Sequence, residues 1–213
     1  MNKLSFVLFN IAFSGFVSAA IDPNVIRAAD QGDATALNHL GMIYANGHGV
    51  PADYKEAVKR FRLAADQGNA IAQYNLGVAY DNGRGVPEND KVAVKWYRLS
   101  AAQENASAQY NLGLMYEIGA GVSEDDKEAV KWYQMAADQG HIAAQINLGV
   151  AYDNGHGVPQ NNQLGYMWIN IAGANGSDVD RVRELMTRRM SKADIAKAQE
   201  MTKQYAINNP NVY

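Results

Sequence analysis

A unit of 36 residues recurs four times in this sequence without an insertion. A Leu-Gly pair marks the step most clearly, and a tyrosine and a Gly-x-Gly-Val motif follow it at the same spacing in every copy. The copies occupy residues 33–68, 69–104, 105–140 and 141–176. One such unit is too small to bury its own apolar face, so a fixed period of this size indicates a stacked repeat array.

Each copy contains two helical patterns joined by a turn. In the second copy, Ala72, Leu76 and Tyr80 share one face of a 3.6-residue period. After the Gly-x-Gly-Val turn, Asn89 or Asp90 can cap a second helix. We therefore predict an all-α array of helical hairpins, in which Trp96 and Tyr80 supply most of the buried area of their repeat. The positions assigned to the repeat core are Leu76, Gly77, Tyr80, Trp96, Leu112, Gly113, Tyr116, Trp132, Leu148, Gly149, Tyr152 and Trp168.

The segments that flank the four copies predict helical ends for the array. Residues 21–32 resemble the second half of a repeat, and Asp22-Pro23 suits the start of a helix. Residues 177–213 predict a helical cap and tail: one helix at 179–189 capped by Ser177 or Asp178, and another that follows Ser191 and ends at about 206. The uncharged stretch 163–172 indicates a last repeat helix that is covered by something else.

The repeated motif resembles the Sel-one-like repeat family, a branch of the tetratricopeptide superfamily. The similarity rests on the run A-x-A-x-x-x-L-G-x-x-Y-x-x-G-x-G-V, followed after the turn by A-x-x-W-x-x-x-A-A, and it covers residues 33–176. Three positions depart from the pattern, namely Arg60, Glu104 and Gly165. The resemblance implies a right-handed α-solenoid that serves as an adaptor for other proteins, and it implies no particular ligand.

The first 20 residues have the features of a secretory signal peptide. Lys3 precedes an apolar run, and small residues end the segment at Ala19 and Ala20. The apolar run is short for a membrane span, so we expect cleavage and a mature chain without an integral span. The sequence contains no cysteine, so the array depends on packing without disulfides. We expect an exported bacterial protein, periplasmic or secreted.

No pattern in the sequence predicts a catalytic, cofactor-binding or metal-binding residue. The four histidines, His39, His48, His141 and His156, lack the spacing of metal ligands on a helix and are interpreted as surface residues. No serine stands in a nucleophile motif. A net charge of −3 argues against a nucleic-acid partner. A non-enzymatic adaptor is therefore the preferred interpretation; the alternatives are an enzyme that acts on the cell wall or on β-lactams, and a structural subunit of a periplasmic assembly.

Polar residues that recur in register on the first helices are the candidate contacts to a partner. Paired amide donors and acceptors can hydrogen-bond the backbone of an extended peptide, and acidic residues accompany them. The candidates are Gln73, Asn75, Asp81, Gln109, Asn111, Glu117, Gln145, Asn147 and Asp153. Two alternatives stay open: these residues hold the repeats together, or they face water.

A second polar surface is predicted at the C-terminal end, where the chain is basic. Its arginines form either a solvated cap face or a patch for an acidic partner or a cell-wall polymer. They are Arg181, Arg183, Arg188 and Arg189.

Overall fold

The computed structural model describes residues 21–210, so the predicted signal peptide at 1–20 lies outside the described part. Residues 21–210 form eleven α-helices and no β-strand. The helices are α1 (Pro23–Asp30), α2 (Ala34–Asn46), α3 (Tyr54–Asp66), α4 (Ala70–Asp81), α5 (Asp90–Ala101), α6 (Ala106–Ile118), α7 (Asp126–Ala137), α8 (Ile142–Asn154), α9 (Asn162–Ala174), α10 (Asp180–Thr187) and α11 (Lys192–Asn208).

The helices pack in chain order as a stack of hairpins. The hairpins are α2–α3, α4–α5, α6–α7 and α8–α9, and each second helix also packs on the first helix of the next hairpin. Helix α1 packs on α2 as half a hairpin at the N-terminal end. The predicted α-solenoid is confirmed. None of the helices within residues 21–210 has the length and apolarity needed to cross a membrane.

Side-chain caps fix where most of these helices begin. Of the two predicted candidates for α5, Asn89 is the cap, because its side chain accepts a hydrogen bond from the Val92 backbone N–H at 3.1 Å. Ser191 caps α11 in the same way. Helix α10 is shorter than predicted and spans Asp180–Thr187. Val179 occupies its N-cap position, and the predicted cap Asp178 accepts a hydrogen bond from the Asp180 backbone N–H at 3.3 Å.

The Leu-Gly pair explains how the two helices of one hairpin approach each other. A Cβ atom built on Gly77 would lie 2.6 Å from the ring of Tyr97, so this ring rests directly on the backbone of α4. Gly113 and Tyr133 repeat the arrangement in the third hairpin. Tyr97 is fully buried, whereas Trp96 is only partly buried. The sequence analysis did not include Tyr97 in the repeat core, although the ring that follows the tryptophan fills the space above the glycine.

The second glycine of the Gly-x-Gly-Val turn connects one repeat to the preceding one. Gly85 has a φ of +77°, and a Cβ atom there would lie 2.2 Å from the Tyr54 backbone oxygen at the start of α3. Only glycine allows both this backbone conformation and this approach. The motif is thus a contact between repeats as well as a turn.

Helix α11 covers the uncharged last repeat helix α9. Trp168 is 3% exposed and meets the Tyr205 ring edge-on, with 5.1 Å between the ring centroids. Gln163 also donates a hydrogen bond to Asp194 at 2.6 Å. The C-terminal cap therefore replaces the contacts that a further repeat would supply.

Candidate functional site

Helices α2, α4, α6 and α8 expose one common side, which we call the first-helix face. Each helix contributes a polar residue, an apolar residue one turn later, and in three repeats an acidic residue. From the first repeat to the fourth, the members are His39, Met42 and Ala45; Asn75, Val78 and Asp81; Asn111, Leu114 and Glu117; and Asn147, Val150 and Asp153.

The glutamine candidates do not belong to this accessible face. Gln73 is 5% exposed; its amide donates to the Ala65 carbonyl oxygen at 3.2 Å and accepts from Gln103 at 2.8 Å. Gln109 and Gln145 are buried and bonded in the same way. Carbonyl groups at the C-terminus of a helix lack intrahelical partners, and these glutamines satisfy one in each preceding repeat. They were candidate contacts to a partner, with contacts between repeats as one of the open alternatives, and the structure supports that alternative.

A buried tyrosine connects an asparagine of one repeat to an acid of the preceding one. Asn111 donates to the Tyr97 hydroxyl at 3.1 Å, and this hydroxyl donates to Asp81 at 3.0 Å. Burial raises the pKa of Tyr97, so its hydroxyl stays a neutral donor. Burial also raises the pKa of Asp81. The chain of hydrogen bonds fixes the Asn111 amide on the first-helix face.

The third hairpin repeats this network. The Tyr133 hydroxyl donates to Glu117 at 2.6 Å, and the Asn147 amide lies beside the same hydroxyl. The sequence analysis missed Tyr97 and Tyr133. A signal was present, because both hairpins that have a tyrosine here also have an acid 16 residues earlier.

The first repeat lacks both members of that pair and contains a cleft instead. Ala45 and Phe61 replace the acid and the tyrosine. The cleft has a volume of about 190 Å³ and a mostly apolar wall, and Asn46, Asn75 and Arg84 are among its polar lining residues. Met42, which is 42% exposed, also lines it. An apolar side chain from another molecule could occupy this space.

The fourth repeat uses its acid to hold the C-terminal cap. Ile169 replaces the tyrosine, and Asp153 is buried and forms an ion pair with Arg189, which follows α10. The other carboxylate oxygen of Asp153 has no hydrogen-bond partner among residues 21–210. Asp153 was predicted as a contact to a partner, but its carboxylate is not accessible.

An apolar stripe runs along the first-helix face, and the sequence analysis missed it. Met42, Val78, Leu114 and Val150 recur at the repeat period, and Val150 is 38% exposed. Ile118 extends the stripe in the third repeat and is 68% exposed. Met42, Val78, Leu114 and Val150 each lie one helical turn from the polar residue of their repeat, so a polar row and an apolar row run side by side along the array.

One histidine differs from its predicted surface role. His141 is partly buried, caps α8 by accepting from the Ala144 N–H at 3.3 Å, and stacks on Tyr110 with 4.7 Å between ring centroids. Burial lowers the pKa of His141. His39, His48 and His156 are exposed. Residues 21–210 contain no group of three His, Asp or Glu side chains placed to hold a metal ion.

The fold and its repeated surface define a class of protein, the α-solenoids built from helical-hairpin repeats. Four copies of the Sel1 repeat match residues 34–69, 70–105, 106–141 and 142–177, and the chain belongs to the Sel1 repeat family. Sel1 repeat proteins are typically scaffolds for protein–protein interaction.

The solved structures similar to this chain include two bacterial repeat proteins. A Sel1 repeat protein from Oxalobacter formigenes is 36% identical, with a TM-score of 0.68, over 71% of this chain and 61% of that protein. The protein c5321, a protective antigen of uropathogenic Escherichia coli with an SLR fold, is 27% identical, with a TM-score of 0.58, over 88% of this chain and 49% of that protein. The chain thus spans less than two thirds of either protein. A comparison with curated proteins found no match.

Proposed function

We propose that this protein is a non-enzymatic adaptor that binds an extended segment of another protein along its first-helix face. The observation that carries the proposal is the in-register pairing of an apolar residue with an amide on successive first helices. The apolar residue is partly exposed in the two middle repeats and exposed at Met42 and Val150. Asn75 and Val78, Asn111 and Leu114 form two such pairs. An extended chain presents backbone groups and side chains at regular intervals, which a repeated surface of this kind matches.

The hydrogen bonds already present leave the asparagines able to bind. The Asn75 side-chain N–H donates to Asn38 at 2.9 Å, and that of Asn111 donates to Tyr97. An asparagine amide has two N–H donors and a carbonyl acceptor, so groups remain for a partner. The internal bonds hold each amide in one orientation, which lowers the entropic cost of binding.

The cleft of the first repeat supplies an anchor for the same partner. It adjoins the stripe at Met42 and Val78, and its wall is mostly apolar. A buried apolar side chain of the partner would contribute most of the affinity there, since a few well-packed anchors dominate typical interfaces. Gln73, Gln109, Gln145 and Asp153 are excluded from the proposed contacts because they are buried.

The proposed place of action is the bacterial cell envelope, where the protein would act as a scaffold or regulator. The support is the signal-peptide pattern of residues 1–20. Sel1 repeat membership supports a protein partner.

The proposal is tested by placing a charge on the stripe. Val150→Glu puts a carboxylate on an exposed part of the stripe and should reduce capture of the partner from the native envelope by about tenfold or more. Leu185→Glu is the control, because Leu185 is 51% exposed on α10, outside the face. Equal capture by both variants would contradict the proposal, provided that both unfold at the wild-type temperature.

A further inference from the structure

The second helices of the first three repeats carry an apolar series of their own on the outside of the array. Leu63, Leu99 and Met135 follow one another at the repeat period and are 52%, 43% and 45% exposed. Large apolar side chains that recur at equivalent exposed positions form an extended patch, and such patches mark interaction surfaces. We call this surface the second-helix face.

Two clefts deepen this surface. The first has Val58 and Val86 among its lining residues and a volume of about 620 Å³, and the second has Val94 and Val122 at the equivalent positions and a volume of about 450 Å³. Each cleft lies between a second helix and the Gly-x-Gly-Val turn of the following repeat. Because equivalent residues line the two clefts, the cleft is a repeated feature of the array.

Lysines and an arginine surround the apolar lining of each cleft. The second cleft is lined by Lys91, Lys95 and Arg98, and within residues 21–210 neither lysine forms an ion pair. The first cleft has Lys55, Lys59 and Arg62, with Asp66 as its one acid. Lys59 pairs with Glu56 of its own helix, and the arginines bond to tyrosine hydroxyls. The rim therefore presents excess positive charge to an approaching molecule.

The fourth repeat shows what kind of element fits this face. The positions equivalent to Lys131 and Met135 are Met167 and Ile171, which are buried in one cluster with Met201 and Tyr205 of α11. A helix therefore covers the last repeat on this side, and the charged lysine has been replaced there. In the first three repeats the lysines remain, so a helix that lies there needs acidic residues beside its apolar stripe.

We propose that the second-helix face of the first three repeats docks an amphipathic helix of a partner protein, with an apolar stripe flanked by Asp and Glu residues. The apolar stripe lies over Leu63, Leu99 and Met135, and the acids face the lysines of the cleft rims. This site is separate from the first-helix face, so substitutions here leave binding on that face unchanged.

A peptide derived from α11 provides the probe. The 192–208 sequence carrying Lys192→Glu, Lys197→Glu and Lys203→Glu keeps the apolar stripe and adds acids, and the unaltered 192–208 peptide is its matched control. Binding to the full chain is measured by fluorescence anisotropy at low and high salt. The acidic peptide is expected to bind at least about tenfold more tightly than the control at low salt, and salt should weaken it.

Protein variants then locate the bound peptide. Leu63→Gln, Leu99→Gln and Met135→Gln together, or Lys95→Glu alone, should weaken binding of the acidic peptide by about tenfold. All four side chains are exposed, and circular dichroism confirms that the variants fold. Leu185→Gln should have no effect.

Three results would overturn the proposal. They are equal binding of the two peptides, undiminished binding by the second-helix variants, and binding of anionic phosphatidylglycerol vesicles without binding of the peptide. The last result would assign the basic rim to a lipid surface.

Discussion

Tyr97 links the packing of its hairpin to the surface that we propose for binding. Its ring lies on Gly77, and its hydroxyl joins Asn111 to Asp81. The residue therefore sets the distance between two helices and the orientation of an exposed amide at once. The first hairpin achieves the packing with Phe61 but has no such hydrogen bonds.

Removal of the hydroxyl should destabilise the chain while leaving the packing intact. Tyr97→Phe leaves the partly buried Asp81 carboxylate without its donor, and we expect the free energy of unfolding to fall by about 1–2 kcal/mol in urea titration. The double variant Tyr97→Phe/Asp81→Ala reproduces the Phe61 and Ala45 arrangement of the first hairpin and should recover part of that loss. An unchanged midpoint for Tyr97→Phe would show that the hydrogen bond contributes nothing.

His141 should make stability depend on pH. Burial holds its folded-state pKa below the ordinary value of 6.5. Its contribution to stability is therefore full above pH 6.5 and is lost as the pH falls through the lowered pKa, because the unfolded chain binds the proton first. In His141→Asn, which copies the Asn105 cap, urea midpoints between pH 7.5 and pH 5 should fall less than in the wild type.

The exposed His156 provides the control for that experiment. His156→Asn should keep the wild-type pH dependence. If His141→Asn and His156→Asn gave the same pH profile as the wild type, the buried cap would not be the titrating group.

Residue periodicity identified part of the candidate site and misassigned part of it. Asn75, Asn111 and Asn147 were predicted from their spacing, and the structure places all three on the first-helix face. Gln73 has the same spacing but is buried. A stacked array repeats its interior and its surface with one period, so the period alone cannot separate them. The partly exposed stripe at Val78 and Leu114 follows the same period and was missed because apolar residues are ordinarily assigned to a core.

Among the secondary-structure elements, an ion pair connects the C-terminal cap to α8, the first helix of the fourth repeat. Arg189 reaches Asp153 of α8, while its neighbour Arg188 pairs with Glu184 within the cap. The Asp153 side chain is only 6% exposed, so the carboxylate depends on this partner. The sequence could not predict the pair, because its members lie 36 residues apart and no spacing rule connects them.

The loss of Arg189 should destabilise the cap more than the loss of Arg188. Arg189→Met leaves a buried carboxylate without its ion partner, and we expect a loss of about 1–3 kcal/mol, reduced from the value for a fully buried pair because Arg189 is half exposed. Arg188→Met removes an exposed pair and should cost less than about 0.5 kcal/mol. Equal costs in chemical unfolding would contradict a stabilising role for the Asp153 pair, and partial recovery by Arg189→Met/Asp153→Ala would support it.

The helix positions were mostly predictable, and the exceptions have local causes. Asp22 and Ser191 mark helix starts because their side chains accept backbone N–H groups. Helix α10 starts one residue later than predicted, because Asp178 accepts a hydrogen bond from the Asp180 backbone N–H while Val179 occupies the N-cap position. An uncharged helix such as α9 predicts that another element covers it. Only the structure shows that this element is α11.

At the scale of the whole molecule, the array presents two long surfaces of different chemistry. The first-helix face combines amides with a narrow apolar stripe, whereas the second-helix face combines apolar clefts with lysines. The solenoid fold followed directly from the repeat, because Gly77 allows the two helices of a hairpin to approach and Gly85 allows contact with the preceding repeat. The two surfaces could not be predicted from the repeat alone, because their composition depends on which side of each helix the neighbouring repeats cover.

Site-specific photo-cross-linking in the native envelope tests the proposed binding face most directly. A photoreactive amino acid is placed at Val78, Leu114 or Val150, one position at a time, with Leu185 as the control, and the products are identified by mass spectrometry. We expect all three positions to capture the same protein, through successive parts of one segment, and Leu185 to capture none. Capture of cell-wall glycan alone, of further copies of this chain alone, or of no product at all would contradict it.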